Sequence, residues 1–164
     1  MSIRILLTGG TIDKLYSVDA GELTFEETHI EEMLDRANVT ADIVIEELML
    51  KDSLDIDDTE REQILEACEA CEEESILITH GTDTMVETAE LLGEAGLDKS
   101  IVLTGAMVPY SVRDSDALFN LGFALAAVQL APGGVYIAMN GELFDWDDVR
   151  KNDDDGCFES LSDD

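Results

Sequence analysis

The chain has 164 residues, 45% of them hydrophobic, which is the size of one ordinary domain with a core of its own. Its 39 Asp and Glu outnumber 9 Lys and Arg and leave a formal net charge of -30 at pH 7, so nucleic acid is not an expected ligand, because phosphate contacts need basic side chains. Disorder is excluded as well, since apolar segments recur along the chain, and no apolar run approaches the roughly 20 residues that span a bilayer, so no membrane contact is expected.

The acidity therefore belongs to a folded surface. Self-repulsion of that size is relieved by screening at molar salt, and the expectation is a cytoplasmic protein of a halophile that keeps salt inside. No leader pattern opens the chain. The expected organisation is one domain over residues 1–158 with an acidic tail at 159–164, and no second domain of comparable size. Three cysteines, Cys68, Cys71 and Cys157, argue against a disulfide framework. Cys68 and Cys71 have metal-type spacing, without a second ligand pair nearby, so no metal or cofactor is expected.

In chain order, the run Ile3, Ile5, Leu6, Leu7 lacks polar alternation and suits the interior of a parallel sheet covered on both faces. It predicts a strand over 3–8, ending in Thr8-Gly9-Gly10-Thr11. An acidic helix follows at 28–36, a strand at 42–48, a helix at 59–74 capped by Asp58, and a strand at 75–79. Then come a helix at 87–94, a strand at 100–104, a helix at 115–130 and a strand at 134–139. Alternation of strand and helix predicts an α/β fold, a doubly wound, mainly parallel sheet with helices on both faces, in the manner of flavodoxin-like and Rossmann-like three-layer sandwiches.

Ligands of such sheets sit beyond the carboxyl ends of the strands. The residues found there are Thr11 after the first strand, Asp52 and Ser53 after the second, and His80 to Thr84 after the third. Gly105 to Met107 follow the fourth, and Asn140, Gly141 and then Asp145 to Lys151 the fifth. Each has a plain structural alternative. Thr8 to Thr11 can be only a strand-to-helix turn, Thr82, Asp83 and Thr84 can cap a helix, Ser53 can turn a loop, and Lys151 can be a solvated charge. His80 reads as a structural hydrogen-bonding residue.

A threonine hydroxyl is a poor nucleophile unless a base takes its proton. A lysine held beside a hydroxyl and a carboxylate can accept one, which makes Thr82, Asp83 and Lys151 candidates for a relay. Backbone N–H groups flanked by Gly10 or Gly81 are candidates to stabilise an oxyanion. The chemistry these groups suit is acyl transfer from an amide or ester to water.

Three segments carry a resemblance: "TGGTI" at 8–12, "ITHGTDTMVETA" at 78–89 and "LTGAMVPYSVRDSDALFNL" at 103–121. Together they resemble the N-terminal domain of bacterial-type L-asparaginases, over residues 3 to about 158. The resemblance implies a small amino-acid amide as substrate and no metal or organic cofactor. By position it implies Thr11 as nucleophile and Thr82, Asp83 and Lys151 as a second catalytic triad, the lysine reached through "MNGELFDWDDVRK" at 139–151. Ser53 matches the residue that binds the substrate α-carboxylate, Asp83 also the holder of its α-amino group, and Tyr16 the tyrosine of a mobile flap.

Family members usually continue into a C-terminal domain that completes the site across a dimer. The expectations are therefore a homodimer, with the apolar helix around Ala117 to Val128 in or near its interface unless that helix is buried, or a separately encoded partner. Two further readings stand beside the hydrolase: a non-catalytic module that binds an amino acid or a partner, and an ammonia-releasing accessory subunit of a tRNA-dependent amidotransferase.

Overall fold

The opening apolar run is buried on both sides because successive strand residues point to opposite faces: Ile3, Ile5 and Leu7 enter one core and Leu6 the other. The structure, a computed structural model, describes residues 1–162. Its elements are β1 (Ile3–Gly9), β2 (Leu15–Ser17), β3 (Glu22–Thr24), α1 (Ile30–Arg36), β4 (Ile43–Lys51), α2 (Asp58–Ala70) and β5 (Ser75–Thr79). They continue with α3 (Met85–Ala95), β6 (Ser100–Thr104), α4 (Ala117–Leu130), β7 (Gly134–Met139), β8 (Glu142–Asp145), β9 (Arg150–Asn152) and β10 (Cys157–Glu159).

The main sheet runs β4-β1-β5-β6-β7-β8, parallel except for β8, which pairs antiparallel with β7. Counting its parallel strands alone, the order is second, first, third, fourth, fifth, the flavodoxin-like arrangement, and it reverses between β1 and β5. Helices α1 and α4 cover one face, where Met33, Leu121, Ala124 and Val128 meet Ile5, Leu77 and Val102. Helices α2 and α3 cover the other, where Ile64, Cys68, Ala89 and Leu92 meet Leu6, Ile78 and Leu103. The α/β doubly wound architecture expected from the sequence is the one observed.

The differences are at the ends of elements and in short pairings. Strand β4 extends to Lys51, because its pairing with β1 continues past a register shift to Gly9. Helix α2 starts one residue early, since Asp57 and not Asp58 is the cap: Asp57 Oδ1 accepts from Glu60 N at 2.9 Å and Glu60 Oε2 accepts from Asp57 N at 3.1 Å. It ends at Ala70 rather than 74, where Cys71 turns to extended backbone. Helices α1 and α4 each begin two residues late because Thr28, His29, Ser115 and Asp116 make loop contacts instead. The β2–β3 hairpin, β8 and the β9–β10 hairpin have no counterpart among the expected elements.

Half of the residues of α4 are buried, and they include most of its apolar ones. Its outer side still shows Phe119 at 62% and Leu130 at 83% exposure. All three cysteines are free. Cys68 is buried in α2, and burial pushes its thiol up to about 12, while Cys71 Sγ donates to Cys68 O at 3.6 Å. Among the described residues no group of three His, Cys, Asp or Glu is placed to hold a metal ion, and no helix is long and apolar enough to cross a membrane. Of the tail expected at 159–164, Glu159 pairs with Arg150 at 2.7 Å and Ser160 donates to Asp148 at 2.7 Å; Asp163 and Asp164 lie outside the described residues.

Asp13 is the only buried carboxylate among the described residues, so the net charge of -30 is carried by the surface. Charges repel over about 10 Å at 0.1 M salt and about 3 Å at 1 M. The melting temperature is expected to rise as KCl goes from low to molar concentration, and a flat or falling curve would contradict a surface adapted to salt.

Candidate active site

The turn after β1 needs two residues of positive φ, and Gly9 (98°) and Gly10 (82°) supply them. A Cβ on Gly10 would overlap the backbone of Gly81, and one on Gly81 would lie 2.6 Å from Ser53 Oγ. The loops after β1 and β5 thus meet backbone to backbone, and the Ser53 side chain from the loop after β4 packs on Gly81, at the point where the strand order reverses. Gly10 N donates to Lys51 O at 2.8 Å, so the contribution of Gly10 to the site is the side chain it lacks. Thr8 Oγ1 donates to Thr79 O at 2.7 Å and ties the same two strand ends together.

Thr11 opens a one-turn 3-10 helix, Thr11–Asp13, immediately beyond this contact and is half-buried. From the β5 side come Thr82, buried, and Asp83, 43% exposed at its side chain. Lys151 reaches both from β9, with Nζ 3.0 Å from Thr82 Oγ1 and 2.5 Å from Asp83 Oδ1, and its own side chain is 15% exposed. Strand β9 is held by β10, where Phe158 pairs with Lys151 in register and enters the core. The sequence thus brings Thr82, Asp83 and Lys151 together across a separation of 69 residues.

Ser53 opens a second 3-10 turn, capped by Asp52, whose Oδ1 accepts from Leu54 N at 3.1 Å. Ser53 Oγ accepts from Thr84 N at 3.1 Å, and Thr84 Oγ1 donates to Ser53 O at 2.8 Å. Thr84 is the N-cap residue of α3 but its side chain makes no capping bond, so the capping alternative does not describe it. Tyr16 stands on β2, 59% exposed.

His80 is buried, and burial lowers its pKa to about 4. A carbonyl can only accept, so the 2.7 Å contact with Gly81 O places the proton on Nδ1, and Nε2 accepts from Thr88 Oγ1 at 2.8 Å. The ring is a neutral brace for the Gly81–Asp83 loop, as the sequence suggested.

One supporting network gave no signal in the sequence. Asp116 accepts from Met107 N and Val108 N at 3.1 and 3.0 Å, from Asn120 Nδ2 at 2.9 Å and from Asn140 Nδ2 at 3.0 Å. Burial pushes its carboxyl upward, and these hydrogen bonds overcome that and hold it below the usual range. The loop it organises reaches the Thr11 turn, with Tyr110 N donating to Ile12 O at 3.3 Å and Ser111 Oγ to Lys14 O at 2.7 Å. On the other side of the turn buried Asp13 accepts from His29 N at 2.8 Å and Thr28 Oγ1 at 3.1 Å, its carboxyl raised by burial.

A flavodoxin-like α/β sheet thus gathers a threonine turn, a Thr–Asp–Lys contact and a buried serine loop at its switch point. The family model for the asparaginase N-terminal domain matches residues 2–162, and the chain belongs to that family. It is similar to the probable periplasmic L-asparaginase of Haemophilus influenzae, 36% identical over 92% of this chain and 46% of that protein. It is also similar to one subunit of the glutamyl-tRNA(Gln) amidotransferase of Methanococcus vannielii, 32% identical over 88% of this chain and 35% of that one. Its fold superposes on the thermostable L-asparaginase of Thermococcus kodakarensis with a TM-score of 0.84 at 28% identity, over 98% of this chain and 51% of the other. The chain spans about half the length, or less, of these relatives.

Proposed function

We propose that the chain hydrolyses the side-chain amide of L-asparagine, or of a related small amide such as glutamine, to the acid and ammonia through an acyl-enzyme on Thr11. The observation that carries this reading is the contact of Lys151 with both Thr82 and Asp83 beside the Thr11 turn. Thr11 Oγ forms a bond to the amide carbon, and its proton passes through Thr82 toward Lys151. The C–N bond then breaks, nitrogen leaves as ammonia with a proton returned to it, and water hydrolyses the ester to release the acid and restore Thr11.

Substrate binding falls to the neighbours. Ser53 Oγ already accepts from Thr84 N, which leaves its O–H proton for the substrate α-carboxylate. Asp83, part-exposed at its carboxylate, is the acceptor for the α-ammonium. Tyr16 is carried on the hairpin that springs from the Thr11 turn, as a closing flap requires.

Ammonia release from L-asparagine in molar KCl is the deciding measurement. Binding of asparagine without ammonia release would instead favour a non-catalytic module. A second reading, ammonia supply to a tRNA-dependent amidotransferase, is favoured by the likeness to the Methanococcus protein, although a charge of -30 opposes direct contact with tRNA. The same charge supports a salt-filled cytoplasm as the compartment.

We also infer a homodimer. Catalytic charges work best away from bulk water, Asp83 and Tyr16 are exposed on this chain, and the uncovered side of α4 with Phe119 and Leu130 offers apolar surface to a second copy. Light scattering in molar KCl should give twice 17.9 kDa; a monomer throughout the micromolar range would count against it.

A further inference from the structure

Lys14 follows the Thr11 turn directly and leads into the β2–β3 hairpin, where Leu15 pairs with Thr24, Tyr16 with Leu23 and Ser17 with Glu22. A two-stranded hairpin this short is marginal in water and needs an anchor outside itself. Lys14 Nζ donates to Asp52 Oδ2 at 2.6 Å and stands 5.7 Å from the ring centroid of Phe25, close enough for a cation to be drawn to the ring face. Phe25 comes immediately after β3, so one ammonium holds the entry and the exit of the hairpin. The other oxygen of Asp52 accepts from Leu54 N and caps the turn that begins at Ser53. Asp52 is held below the ordinary carboxylate range by the Lys14 hydrogen bond first, with Lys151 adding to it, against the upward push of burial. Of the four lysines of the chain, Lys14, Lys51 and Lys151 all lie at this carboxyl-end edge.

We infer that Lys14 is a positioning residue: its ammonium clasps the root of the β2–β3 hairpin to Asp52 and sets the hairpin, with Tyr16 on it, against the loop that carries Ser53. The clasp stands on contacts alone, while its consequence for turnover rests on the amidase reading above. Without the Lys14 ammonium the hairpin keeps its two-stranded ladder and the Ser111 bond to the Lys14 carbonyl, but loses its tie to the substrate loop. Binding of a small amide should then weaken more than the chemical step.

Amide hydrogen exchange on the full chain in molar KCl, combined with steady-state kinetics, tests this with Lys14→Met, Lys14→Arg, Asp52→Asn and the Lys14→Met/Asp52→Asn double variant. In Lys14→Met and in Asp52→Asn the amides of β2 and β3 should exchange about fivefold faster, on the scale of a part-exposed ion pair, while those of β1 and β5 stay protected. The double variant should be no faster than either single one, and Lys14→Arg should retain protection. In Lys14→Met, KM for L-asparagine should rise about fivefold with kcat within about twofold, the same ion-pair scale, and Lys14→Arg should restore it. Unchanged hairpin exchange in both Lys14→Met and Asp52→Asn overturns the clasp, and so does faster exchange that extends equally to β1 and β5. Asp52→Asn keeps the shape and the Leu54 cap, so it decides the question if Lys14→Met does not fold. A wild-type chain that releases no ammonia overturns the amidase reading and leaves the exchange result to decide the clasp by itself.

Discussion

Thr11→Ala should abolish ammonia release, by about 10⁴-fold or more on the scale seen when an enzyme loses its nucleophile, and leave the fold intact. Thr11 is half-buried on a 3-10 turn whose position is set by its neighbours: the glycine contact with Gly81, the Tyr110 bond to Ile12 and the buried Asp13. None of these uses the threonine side chain, so removal of one hydroxyl and one methyl should leave the turn where it is. Thr11→Ser keeps a hydroxyl at the same place and should retain part of the turnover. Full turnover in Thr11→Ala, measured beside an unaltered melting curve, would remove Thr11 from the mechanism and return Thr8 to Thr11 to the status of a structural turn.

The fold was legible where the chain is apolar and the site where its residues follow strands. Runs such as Ser75–Thr79 and Ser100–Thr104 are buried at every position, so their lack of alternation pointed to interior parallel strands, and the residues just beyond them had to lie on one edge. Other features escaped for physical reasons. Arg150–Asn152 is three polar residues with no alternation to read; it is a strand only because Phe158 on β10 enters the core and carries β9 with it. Lys151 could therefore be listed beyond the fifth strand, but the strand that carries it could not be read from pattern. The true cap of α2 was present in the spacing of Asp57 and Glu60, three apart, and was obscured by a second acid at Asp58. Asp116 gave no signal because its partners are backbone groups of Met107 and Val108 and a side chain at Asn140, which only the folded chain gathers.

Lys151→Met should lower kcat by about 100-fold or more, the range expected for loss of a general base, and should change KM much less. Methionine fills nearly the same volume, so β9 should keep its place on β10 and Thr82 its burial. Asp83 is 43% exposed, so water can take over its lost partner, and the stability cost should stay near that of a surface ion pair, about 1 kcal/mol or less. The α-carboxylate and α-ammonium sites assigned to Ser53 and Asp83 survive in this variant, which is why binding should outlast chemistry. Lys151→Arg separates the two roles the lysine can have. A guanidinium can still bond Thr82 and Asp83, but it stays protonated in proteins and cannot accept a proton. If Lys151 moves a proton, Lys151→Arg should be as inactive as Lys151→Met; if Lys151 only fixes Asp83 by charge, the arginine should recover most of the lost kcat. Near-normal activity in both variants would remove Lys151 from the mechanism and leave its contact with Thr82 and Asp83 a structural one.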